Sequence, residues 1–86
     1  MRTVQQMEIA AMLHPAVLQD PVNVTPAFLL TQNEDDKLVV YNCIFNRKSK
    51  RVLHIYAHKG TDPKTIRFPA MVDLNDGSDF ITVKEM

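Results

Sequence analysis

Ten Lys or Arg balance ten Asp or Glu in a chain of 86 residues, so there is no net field to hold nucleic acid nonspecifically. A chain this short makes one domain and buries only about 60–65% of its unfolded surface, so a thin core is expected, one that dimerisation would help. The 45% apolar share with two Gly and five Pro excludes low-complexity and collagen-like chains, and a single cysteine, Cys43, excludes an internal disulfide. Small secreted domains usually need such bridges, which favours a reducing, cytoplasmic setting.

Near the N-terminus Gln5, Gln6 and Glu8 interrupt the apolar run that a signal peptide needs. No stretch of about 18 apolar residues occurs, and no membrane anchor is expected. Thr3 and Gln6 have the spacing of a capping box, and Val4, Met7, Ala10, Ala11 and Met12 recur at helical spacing, which predicts a helix from Val4 to Leu13. Pro15, preceded by His14 as a weak cap, either ends this helix or starts a further turn that closes at Asp20-Pro21.

Beyond Val22, β-branched and aromatic residues alternate with polar turns. Strands are expected over 27–32, 37–45, 52–58, 70–74 and 80–83, with Pro26 confining the first to an edge. Asp76-Gly77 suits a type I′ turn between the last two. A two-residue loop at Lys48-Ser49 or a four-residue loop at 47–50 sets Phe45 opposite Val52, Cys43 opposite His54, Tyr41 opposite Tyr56 and Val39 opposite His58. One hairpin face then holds Leu38, Val40, Ile44, Leu53, Ile55 and Ala57 around Asn42, and is expected to carry the core. The other, rich in rings, is left for a partner or a second subunit. The fold class expected is α+β: a short N-terminal helix on a four- or five-stranded antiparallel meander sheet, residues 1–86 as a single domain with 1–20 helical and 22–86 mainly β.

Charge is sorted along the chain. Residues 37–67 hold eight Lys or Arg and one Asp, a net +7 between acidic flanks. The candidate partner-binding residues are accordingly Arg47, Lys48, Lys50 and Arg51 at the hairpin tip, with Tyr41, Phe45, His54, Tyr56 and His58 on the ring-rich face. Cations with aromatic rings also suit RNA or single-stranded DNA, through phosphate contact and base stacking. Charged tips, however, also serve simply to keep hairpins solvated, and no RNA-binding consensus accompanies these.

Other chemistry is weakly marked. His54 and His58 stand about 13 Å apart along an extended strand, too far to share an ion, and Cys43 with His54 supplies only two ligands, so no metal is expected. In the segment 73–79 Gly77 is fifth rather than sixth, and Lys84 is twelfth where an EF-hand needs Glu. Cys43 and His54 are the sole nucleophile–base candidates, without a Gly-rich loop or nucleophile elbow, and neither catalytic residues nor cofactors are expected. An anion pocket would use Arg47, Arg51 or Arg67 with the histidines. The reading that follows is a non-catalytic small binding module that regulates, inhibits or adapts another macromolecule by protein–protein contact, in the manner of a bacterial or phage accessory protein. Its partner would be a protein with an acidic surface or a second copy in a homo-oligomer, with RNA or single-stranded DNA binding through residues 37–58 as the alternative.

Overall fold

The computed structural model describes residues 4–86, with side chains from Gln6 onward. The Thr3 capping box lies outside the described residues. Helix α1 (Val4–Met12) is followed by the short α2 (Pro15–Gln19). His14 caps α2 as its residue type and the following proline suggest: its Nδ1 accepts from the Ala16 N–H at 3.1 Å. No helix among the described residues is long and apolar enough to cross a membrane.

Five strands follow: β1 (Val24–Gln32), β2 (Leu38–Asn46), β3 (Arg51–Tyr56), β4 (Ala70–Asp73) and β5 (Ile81–Val83). They form one antiparallel sheet in the order β3-β2-β1-β4-β5, so the fold is α+β as expected. The first three strands make a meander. The chain then crosses back through residues 57–69 to place β4 beside β1, a Greek-key return. Pro26 therefore lies in the central strand, not at an edge. Its missing N–H is tolerated because β4 pairs with β1 only over Phe28–Leu30, leaving one side of the strand open at Pro26.

Turn chemistry fixes the hairpins. At the β2–β3 tip the four-residue loop is the one adopted: Asn46 Oδ1 accepts from the Lys48 and Ser49 N–H groups, and the Lys50 N–H donates to the Asn46 carbonyl. Asn33 organises the β1–β2 turn in the same way, accepting from Asp35 and Lys37. The β4–β5 connection is not a two-residue type I′ turn. Positive φ falls on Asn75 and Gly77, because the Asp73 and Asp76 carboxylates draw the Asn75 and Ser78 N–H groups into two successive side-chain turns.

The register expected between β2 and β3 holds only at the tip. Phe45 faces Val52, but Ile44 then faces His54 and Cys43 faces Ile55, so Leu53 is the extra residue of a β-bulge. That single residue exchanges the faces of everything after it. Ile55 joins Cys43 and Phe45, while His54 and Tyr56 cross to the side of Ile44 and Asn42. The bulge thus sends an isoleucine into the interior where a regular ladder would send an imidazole.

Two cores result, one on each face. The larger, inner one runs without interruption from Val52 on one edge strand to Val83 on the other, through Phe45, Cys43, Leu29 and Val72. The crossover covers it with Ile66 and Phe68, and is tied down where Thr31 Oγ1 donates to the Arg67 carbonyl at 2.6 Å. The outer core is small: Ala11 against Val24 and Ile44, flanked by Ala16, Val17 and Tyr56. The face expected to carry the core therefore carries the lesser one. Nine helical residues span only about 14 Å, against about 30 Å for a nine-residue strand.

Phe45→Ala should cost about 3–5 kcal/mol because the ring is fully buried, whereas Leu53→Ala, at 41% exposure, should cost under about 1 kcal/mol. Urea unfolding of both variants checks this, and the opposite order would restore the regular ladder.

Candidate protein-contact surface

The nine candidate binding residues separate into four places. Tyr41 and Phe45 are inner-core residues, so neither ring is offered to a partner. This corrects the single ring-rich face: alternation along β2 sends both rings inward, and the bulge sends the β3 rings outward. His54 and Tyr56 pack edge to face on the outer side, ring centroids 4.6 Å apart, with His54 exposed and His14 5.6 Å from it. Burial, and then the charge of His14, hold the His54 pKa below its ordinary value. His58 leaves the sheet altogether, bonding the Val40 carbonyl through Nε2 at 3.2 Å and resting on the Tyr41 ring.

Arg47, Lys48, Lys50 and Arg51 do form an exposed basic tip. It is partly neutralised, since Arg47 reaches Asp76 of the β4–β5 turn at 3.2 Å. Two hydrogen bonds from Ser78, and then Arg47, hold the Asp76 carboxyl below its usual range. The arginines proposed for an anion pocket are also dispersed. Arg67 pairs with Asp36 at 2.9 Å, and none of the three lines the open groove of about 680 Å³ that holds His54 and His58. Cys43 and His54 lie on opposite faces of the sheet, so no thiol–imidazole pair exists. Among the described residues no group of three His, Cys, Asp or Glu could hold a metal.

What the structure adds is an uncovered apolar surface. Since α1 stops short, no described residue covers the half of the outer face nearest the β1–β2 turn: Leu38 is 67% exposed and Val40 44%, with Leu30 beside Val40 in register. Ile9 and Met12 of α1, with Leu13 just beyond its end, at i, i+3 and i+4, form a second apolar strip, each more than half exposed. A groove of about 250 Å³ lies beside α1, walled by Glu8, Met12, Phe28 and Asn42. Asn42 lines this groove from the sheet.

Part of this was readable from the sequence. Alternation along β2 puts Leu38, Val40 and Asn42 together on one apolar face, which the pattern alone expects to be covered. Ile9 and Leu13 were missed, although their spacing with Met12 marks a helix apolar on two sides. No protein-family model, curated protein or solved structure matches this chain.

Burial raises the Cys43 thiol from 9.0 to about 12, so the folded state holds this proton more tightly than the unfolded one. Its contribution to stability is complete below about pH 9 and is lost as pH rises through about 12. Native protein at pH 8 should not react with a disulfide reagent until denatured, and Cys43→Ala should lose less stability than the wild type between these pH values; rapid native labelling would refute the assignment.

Proposed function

We propose that the protein is a non-catalytic binding module that regulates, inhibits or adapts another macromolecule by protein–protein contact, made through the uncovered half of the outer sheet face. The observation that carries this reading is the run of apolar side chains from the α1 strip to Leu38 and Val40, left exposed in a domain otherwise short of core. Contiguous apolar surface rimmed by charge is the usual mark of a protein contact. The rim here is Glu8 on α1 and Asp73, the cross-strand neighbour of Phe28. The basic tip lies at the far end of β2 and acts on the encounter rate more than on affinity. A reducing, cytoplasmic setting agrees with an unpaired cysteine sealed in the core.

RNA or single-stranded DNA binding ranks below this reading. It would have to use the tip cations without Tyr41 or Phe45 as stacking platforms, since both rings are buried.

Leu38→Glu with Val40→Ser should leave the fold intact, both residues being exposed, and should weaken the protein contact about tenfold or more. Changing Lys48, Lys50 and Arg51 to Ser should only slow association. Affinity capture from host extract with each variant, followed by binding kinetics on the proteins recovered, makes the comparison. A contact untouched by the sheet substitutions but abolished by those at the tip would contradict the proposal.

A further inference from the structure

Resting on the reading of the outer face as a contact surface, we propose that its occupant is a second copy of the chain, related by a two-fold axis that lies over the outer face, parallel to the sheet and at right angles to β2 near its middle. Three observations converge on this arrangement. The first is shape. The outer face is a step, raised by α1 over the Ile44 end and bare over the Leu38 end, and turning one copy by a half-rotation sets each helix on the other's bare half. The exposed strip Ile9, Met12 and Leu13 then meets Leu38 and Val40 of the second copy, and the two α1 helices lie side by side between two sheets.

The second observation is charge. β2 starts from the acidic turn Glu34, Asp35 and Asp36 and ends, about 30 Å away, at the basic tip. Asp36 is already paired with Arg67 and Arg47 with Asp76. Glu34 and Asp35 at one end, and Lys48, Lys50 and Arg51 at the other, make no ion pair among the described residues. Arg51 shares the outer face with Asn46 by register. A two-fold axis brings the acidic end of each copy to the basic end of the other, the self-complementarity that an isologous interface requires. A parallel arrangement would set like charges together.

The third observation is the groove beside α1. Its volume of about 250 Å³ is below the range of small-molecule sites and suits one inserted side chain. Met12 and Phe28 on its walls match an apolar residue of the neighbouring helix.

Charge reversal tests the symmetry directly. One variant carries Glu34→Lys and Asp35→Lys, the other Lys48→Glu and Arg51→Glu; all four positions are exposed, and each variant sets like charge against like in a homodimer. Sedimentation equilibrium should find the wild type dimeric and each variant at least tenfold weaker in self-association. An equimolar mixture should regain the dimer, because both contacts are again between opposite charges, and adding Leu38→Glu to both variants should abolish the recovery. The proposal is overturned by a wild type that stays monomeric at millimolar concentration, by variants that dimerise like the wild type, or by a mixture that associates even with Leu38→Glu. If one of these occurs while Leu38→Glu still removes a contact with a different protein, the outer face remains a contact surface and only its occupant is wrong. If Leu38→Glu changes neither, both readings fall.

Discussion

From Tyr41 to Phe45 five consecutive residues of β2 are buried, so this strand has cover on both of its faces and the rest of the chain is arranged to supply it. Alternating side chains cannot all enter one core. Tyr41, Cys43 and Phe45 enter the inner one, closed by the crossover and by β4 and β5; Asn42 and Ile44 need the helices. An 86-residue chain has little left for the second task. The short α1 therefore closes only half of the outer face, and the exposure of Leu38 and Val40 follows from that shortage of covering structure.

Local chemistry was legible wherever one residue's own hydrogen bonds decide the geometry. His14 capping α2 is of this kind, while the four-residue loop after Asn46 and the proline-led start of α2 were each one of two alternatives that the sequence leaves open. So were the alternation of β2 and the α+β class, which rest on periodicity. The face assignments failed because parity is fragile: the bulge at Leu53 reverses every side chain beyond it, and no residue there announces it. Pro26 misled in a related way, since a strand can be central overall yet open on one side over its first four residues, Val24 to Ala27. The role of residues 57–69 as the lid of the main core was invisible, because a polar loop with two apolar anchors, the buried Ile66 and the partly buried Phe68, resembles any other loop in composition.

These errors bear on the candidate site. Two of the rings read as a binding face, Tyr41 and Phe45, belong to the interior, and half of the face read as interior is left open. The sorted charge keeps its place but changes its meaning. Basic tip and acidic turn stand at opposite ends of one strand, on either side of the apolar surface, so that electrostatics can set the orientation of a partner while the apolar residues supply most of the affinity. A net charge of zero is then the sum of two poles.

The claim on which this account turns is that the Leu38–Val40 half of the outer face is open in the isolated chain and closed in the working assembly. Methyl NMR with a soluble paramagnetic agent measures that accessibility residue by residue. Strong relaxation of the Leu38 and Val40 methyls is predicted in dilute protein, and its suppression in the assembled state, with Leu29 and Val72 shielded throughout. Equal relaxation of Leu38 and Val40 in both states, with protection confined to 47–51, would place the contact at the basic tip and contradict the account.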